Sequence, residues 1–289
     1  MSESVIADFV GTFNAEITPR GEPVKGRIVC SEKRLVLAAD SDNSLHIPLS
    51  SIYDVGVGHV PPELGDFFDS TVTVVFRRDD RAYVAVVEAD DETIRKFSTV
   101  LFKALVNGTA ATLKHPARRG GRVTDESFET ATLTLQPRAV QFESDRRSIT
   151  IDLTRVTSFD RNTRVIGEEE RNVLVVSHMH HGEAMTTLVA ARPARKLSIL
   201  GRYLRREYAE LRRDLEDVEL TDDKVDLLVA LYSGAGGPDI SLASVLDVDP
   251  AQVTMLLNEL EEDGLVESTD DGTDLTPMGQ VVVANNVEE

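Results

Sequence analysis

The chain has 289 residues, 41% of them apolar, enough for two or three domains that each bury a core. Fifty acidic residues against 31 Lys and Arg leave a net charge of −19, which disfavours nucleic acids and anionic membranes as partners, because both are bound through clustered cations. The opening MSESVIADFV has neither the basic nor the apolar region of a signal peptide, no run approaches the roughly 20 apolar residues of a membrane span, and one cysteine allows no internal disulfide.

In chain order, GRIVCSEKRLVLAAD and LHIPLSSIYDVGV read as short β-branched runs broken by polar turns. Cys30 lies in the first of these and reads as a small buried hydrophobe rather than a reactive thiol. STVTVVFRR and RAYVAVVEA form a hairpin around Arg78, Asp79 and Asp80. The period then switches from two to 3.6: Ile94, Phe97, Val100, Leu101, Ala104 and Leu105 mark one helix face, with Asn107–Gly108 as its C-cap.

Residues 107–124, NGTAATLKHPARRGGRVT, read as linker or first-strand material, a solvated linker being the simpler reading. Lys114, Arg118, Arg119 and Arg122, with His115 if protonated, make the stretch basic enough to dock an acidic partner. ATLTLQ, AVQFES, SITIDL, NVLVVSHM and AMTTLVAA then read as strands, and Leu197, Leu200, Leu204, Tyr208, Leu211 and Leu215 stripe a closing helix. That helix also carries Arg202, Arg205, Arg206, Arg212 and Arg213, a second candidate partner-binding set. His178 and His180 would share a strand face within His178-Met179-His180-His181. Gly182 places the cluster at a solvent-exposed hairpin tip instead, so no metal site is expected.

These two stretches repeat one another. Arg34 precedes Leu49 by fifteen residues, as Arg138 precedes Leu153, and Ile47, Leu49 and Ile52 pair with Ile151, Leu153 and Val156 at one constant offset. Arg95 to Ser98 (RKFS) is echoed by Arg195 to Ser198 (RKLS). A domain of roughly 100 residues is therefore duplicated. Antiparallel strands followed by one amphipathic helix resemble the pleckstrin-homology-like superfold, whose helix covers an open barrel end.

Residues 216–289 differ in kind, with 19 acidic residues and one base, Lys224, for a net charge of −18. Thr221 caps a helix bearing Val225, Leu228, Val229 and Tyr232, which Ser233–Gly234 ends. Asp239 caps SLASVL, and Asp249–Pro250 open a third helix aligning Val253, Leu256, Leu257 and Leu260, stopped by Gly264. A turn at Asp270–Asp271–Gly272 and the segment LTPMGQVVV complete a winged-helix pattern. The third helix offers Gln252, Thr254, Asn258, Glu259, Glu261 and Glu262 without one cation, so protein docking is expected of it rather than DNA recognition.

No pattern asks for catalysis. The loops VGVGHVPPELG and SGAGGPD lack the phosphate-binding spacing and its lysine, no G-x-S-x-G elbow occurs, and acidic pairs read as solvated surface. Arg77, Arg78 and Arg81 invite a phosphoinositide, but Asp79 and Asp80 between them cancel the field. A non-enzymatic chain without cofactor or metal is expected.

The ESVIADFVGTF opening, the KGRIVCSEKRLVL pair, IPLSSIYDVG and the acidic segment ending LTPMGQ resemble the archaeal taxis protein family CheF along essentially the whole chain. Arg in excess of Lys beside so many acids suits the salt-rich cytosol of a haloarchaeon. The residue patterns read as an α+β chain of two tandem pleckstrin-homology-like β-barrel domains, residues 1–108 and 109–215, each closed by a C-terminal helix, then an acidic winged-helix domain at 220–286. The resemblance implies a cytoplasmic chemotaxis and phototaxis adaptor recruited to the archaellum motor. The implied partners are the phosphorylated response regulator CheY, CheC- and CheD-type proteins, and the archaellum accessory proteins FlaCE or ArlCDE, with no nucleic acid and no membrane insertion. The rival reading is a winged-helix transcription regulator with pleckstrin-like sensory domains.

Overall fold

In a computed structural model, residues 3–15, 22–58, 70–180, 183–216, 220–237, 240–269 and 272–287 are described. The fold is α+β, with mostly antiparallel sheets and a minority of helices. Its first half contains β1 (Val5–Ala15), β2 (Val24–Ser31), β3 (Arg34–Ala38), β4 (Ser44–Pro48), a 3-10 turn at Leu49–Ser51, β5 (Ile52–Val57), β6 (Ser70–Arg78), β7 (Arg81–Ala89) and α1 (Asp91–Val106). The seven strands form one sheet in the order β4-β3-β2-β1-β7-β6-β5, each adjacent pair antiparallel.

The second half repeats this with β8 (Thr109–Arg119), the short β9 (Arg122–Val123), β10 (Glu129–Gln136), β11 (Ala139–Glu143), β12 (Ser148–Asp152), a 3-10 turn at Leu153–Arg155, β13 (Val156–Ile166), β14 (Glu169–His180), β15 (Glu183–Ala191) and α2 (Ala194–Glu216). Its order is β12-β11-β10-β8-β15-β14-β13, with β9 pairing β8 off that path. With β9 set aside, the two orders are the same, strand for strand. β1 and β8, β4 and β12, the two 3-10 turns, and β5 and β13 each begin 104 residues apart. Even the irregularity of register recurs at that offset, between Ile52 and Asp54 and between Val156 and Ser158. Each turn is pinned by its leucine, whose amide donates at 2.8 Å to the carbonyl of Lys33 in one copy and Arg138 in the other. The paired residues Ile47 and Ile151, Leu49 and Leu153, and Ile52 and Val156 are all buried. The duplication is thus written in topology, burial and hydrogen bonding.

Two outcomes stand out. Of the two readings of residues 109–119, linker or first strand, the structure takes the strand over the simpler linker: they form β8, the counterpart of β1 at the centre of its sheet. A proline and paired glycines made this strand look like a connector, whereas Gly120 and Gly121, at φ +53° and +78°, form only the turn into β9. β13, which no expected strand covered, runs beside β14 over ten residues and outgrows its counterpart β5.

By density of internal contact the chain forms two compact units, one of Met1–Ala110, Thr132–Leu135 and Ala191–Tyr203, the other of Ala111–Ala131, Gln136–Ala190 and Leu204–Glu289. In the first, the α1 face read from periodicity is buried at Ile94, Phe97, Leu101 and Leu105, with Phe9 of β1 against Phe97 at 5.1 Å. Asp90 caps α1 by accepting from the Thr93 amide, and Gly108 at φ +73° follows its C-cap, Asn107. The first turns of α2 add Tyr203 against Phe102 at 5.6 Å and a hydrogen bond from Lys196 Nζ to the Leu105 carbonyl. Each large apolar side chain so buried contributes about 1.5–3 kcal/mol.

In the second unit Ala117, Val173, Leu188 and Ala190 form a sheet core with Phe128, Ile166 and Val175 packed on it. Its C-terminal segment comprises α3 (Asp222–Tyr232), α4 (Leu242–Leu246), α5 (Pro250–Glu262), β16 (Val266–Thr269), β17 (Gly272–Leu275) and α6 (Pro277–Val287). Asp249 caps α5 through the Ala251 amide, with Pro250 opening the helix, and Val253, Leu256 and Leu260 are its buried row. The cap of α4 is Ser241, which accepts from the Ser244 amide; Asp239 lies outside the described residues, as do Asp270 and Asp271.

Candidate functional site

The basic stretch becomes the β8–β9 hairpin, and its four cations divide. Lys114 Nζ donates to the Thr124 carbonyl at 3.3 Å, and Arg119 pairs with Glu183 at 2.5 Å. Arg118 and Arg122 are exposed beside Val123, itself 70% exposed. Arg147, absent from the sequence reading, braces the hairpin from behind. It donates to the His115 carbonyl at 2.7 Å while pairing with Glu129 at 2.7 Å and Glu126 at 3.2 Å.

The arginines of α2 are largely engaged within the chain. Arg202 grips Asp54 with two contacts of 2.7 Å, Arg206 pairs with Glu210 at 2.9 Å, and Arg212 also has a partner. Arg213 donates to the Ala209 carbonyl of its own helix at 3.4 Å, and Arg205 is exposed. The Leu215 side chain and His181 lie outside what is described. In the first copy Arg77 stacks over Tyr53 at 5.2 Å and Arg78 lies 4.0 Å from Asp79, so two of the three arginines considered for a phosphoinositide have neighbours of their own.

The histidine cluster departs most from expectation. His180 is exposed, but His178 is buried and faces His115 from β8, their rings parallel within 9° and 5.7 Å apart. The buried hydroxyl of Thr187 on β15 lies 2.7 Å from His115 Nδ1 and 3.0 Å from His178 Nε2. One hydroxyl proton serves one ring, so the other ring must donate, and the chain of bonds is complete with both rings neutral. Burial pushes both down to about 4, helped at His115 by the facing His178 and the Arg147 guanidinium. Among the described residues no three His, Cys, Asp or Glu side chains are grouped to hold a metal.

Cys30 is fully buried, and burial pushes its thiol up to about 12, so it packs as a hydrophobe. The loop from Ser233 is welded to β17, the Thr273 amide donating to Gly236 O at 3.0 Å; the other glycine-bearing loop falls largely on residues 59–69, outside the described set. No described helix is long and apolar enough to cross a membrane.

A contact invisible in the sequence ties the C-terminal segment to the second copy's 3-10 turn. Glu267 of β16 is 1% exposed, and its Oε2 lies 2.8 Å from Arg155 Nη1 at the end of that turn. This is an ion pair without hydrogen-bond geometry, since Oε2 accepts no hydrogen bond. Beside it, Gly264 at φ +77° sits so close to Thr154 that a Cβ there would meet Thr154 Cγ2 at 2.5 Å. In the first copy the position of Arg155 is Ser51 and that of Thr154 is Ser50, so only the second turn offers a cation. On α5, Thr254, Met255, Asn258, Glu259, Glu261 and Glu262 face solvent, a surface of acids with one large apolar side chain.

Residues 5–210 match the family model of the archaeal chemotaxis signal transduction system protein F. The chain is 45% identical over 289 residues to taxis protein CheF2 of Halobacterium salinarum, covering 100% of this chain and 99% of that one. It is 29% identical over 233 residues to taxis protein CheF1 of the same organism, covering 79% and 76%.

Proposed function

Because the chain belongs to the CheF family and so has a role in archaeal chemotaxis signalling, we propose that it acts there as a non-enzymatic adaptor. In this reading it binds the response regulator CheY, preferentially phosphorylated, and relays the signal to the archaellum motor from the cytoplasmic side. CheC- and CheD-type proteins and the archaellum accessory proteins FlaCE or ArlCDE complete the set of partners. The full-length similarity to a taxis protein carries this reading. The architecture supports it physically: two copies of one sheet-and-helix module, read as pleckstrin-like, and an acidic segment read as a winged helix provide several surfaces for docking. The exposed Arg118 and Arg122 are the cations of the candidate set best placed to meet an acidic partner, and Arg205 is a further one.

Calorimetric titration with purified CheY, with and without beryllofluoride, at molar KCl tests the reading. Binding tightened tenfold or more by the phosphoryl mimic, about 1.4 kcal/mol of coupling, is the expected result. Absence of binding in both states overturns the CheY link. It would return weight to the winged-helix regulator, against which the base-free outer face of α5 already speaks.

A further inference from the structure

β4, β5, β12 and β13 lie at the edges of the two large sheets. β4 and β12 have five residues each and β5 has six, whereas β13 has eleven. Edge strands are usually kept short, because an open row of amides and carbonyls invites pairing. Among the described residues β14 is the only strand paired with β13, and Asp160 to Val165 are all exposed, Val165 at 65%. Thr163 shows which way the backbone faces. Its amide donates to Asn162 Oδ1 at 2.8 Å and its carbonyl accepts from Arg164 Nη1 at 3.0 Å, so side chains of its own strand stand where a neighbouring strand would bond. Both backbone groups of a strand residue point the same way, and the direction alternates along the chain. Phe159, Arg161, Thr163 and Val165 therefore address the open side.

Charges on an edge turn most strands away, and here they select one. In antiparallel pairing, residues directly opposite share a face, so a symmetric pair of β13 strands must be centred on a residue. Asp160 meets an arginine of β13 only in the register centred on Asn162, which sets Asp160 of each strand against Arg164 of the other. The same register sets Phe159 against Val165, an aromatic against a β-branched side chain, and Arg161 against Thr163. Phe159 already has Tyr208 edge-on at 5.7 Å, so the opposing Val165 enters apolar surroundings. The hydrogen-bonded pairs are then 159 with 165 and 161 with 163, the residues whose backbone faces outwards. The charged pairs fall at the other sites, where facing side chains lie closest.

We propose that β13 is a self-recognition edge, pairing antiparallel with β13 of a second chain about a two-fold axis at Asn162. Charge, apolar contact and backbone direction agree on that register. Repulsion between two chains of charge −19 opposes association, and at 1 M salt it is screened beyond about 3 Å. The pairing stands independently of the adaptor reading.

Sedimentation equilibrium of the full chain at molar KCl reads the monomer–dimer constant, and a dimer that grows with concentration is expected. Asp160→Arg and Arg164→Asp, both at exposed positions, should each weaken it at least tenfold, since each sets like charges opposite one another. An equimolar mixture of these two variants, and the double variant, restore opposite charges and should dimerise as the wild type does, which also shows that the variants fold. Asn162→Cys lies on the axis and should oxidise to a covalent dimer, whereas Thr163→Cys faces Arg161 and should not; the fully buried Cys30 takes no part. A monomer at every concentration overturns the proposal and leaves the edge to a strand of another protein. A dimer indifferent to both single substitutions, or one that neither the mixture nor the double variant restores, overturns it too.

Discussion

A ring pair held neutral by a shared hydroxyl makes His115 and His178 a source of pH dependence. Both titrate near 4 in the folded chain against an ordinary 6.5, so between those values the unfolded chain takes up protons that the folded chain refuses. Their contribution is complete above about pH 6.5 and is lost as pH falls towards 4. Urea unfolding should show a loss on the order of 2 kcal/mol between pH 7.5 and 5. His178→Leu should roughly halve that dependence, since it removes one ring and leaves Thr187 to His115, which stays buried. The Arg155–Glu267 pair makes an asymmetric prediction. Arg155 is 26% exposed and can rehydrate, whereas Glu267 at 1% cannot. Arg155→Ala should therefore cost about 3 kcal/mol and Glu267→Gln only about 1–2, read from unfolding midpoints at pH 7.5.

At the scale of elements, the β6–β7 hairpin was legible because its turn is local chemistry. Asp79 and Asp80 both adopt left-handed φ, +49° and +61°, as a two-residue type I′ turn requires. Glycine reaches that region without a Cβ penalty, so Asp80→Gly should stabilise the chain by about 0.5 kcal/mol in thermal unfolding. The stripes of α1 and α2 were equally plain, since Ile94, Phe97, Leu197 and Leu200 recur at the helical period and are buried. β13 was not legible. Asp160 to Val165 are polar or exposed along its outer half, and only the ladder with β14 makes that stretch a strand. β8 was obscured for the opposite reason, its strand pattern masked by Pro116 and four nearby bases.

For the whole molecule, the uneven charge predicts a dependence on salt. Residues 216–289 carry −18 of the total −19, and self-repulsion within that segment falls as the screening length shrinks to about 3 Å at 1 M salt. Circular dichroism melts should therefore show an unfolding temperature that rises by at least about 5 °C from 0.1 to 2 M KCl. A flat response would mean that the carboxylates are already balanced within the fold.

The sequence by itself determined the duplication, the hairpins, the helix faces and the segregation of charge, because period, turn chemistry and composition are each expressed over a few neighbouring residues. Tertiary structure alone decided which of the candidate cations are engaged, as Arg202 is by Asp54 and Arg119 by Glu183. It also decided that His178 turns inward to His115, and that Arg155 rather than its counterpart Ser51 holds the acidic segment through Glu267. The partners in each case lie far apart in the chain, and burial, which sets the strength of such contacts, exists only once the sheets have formed.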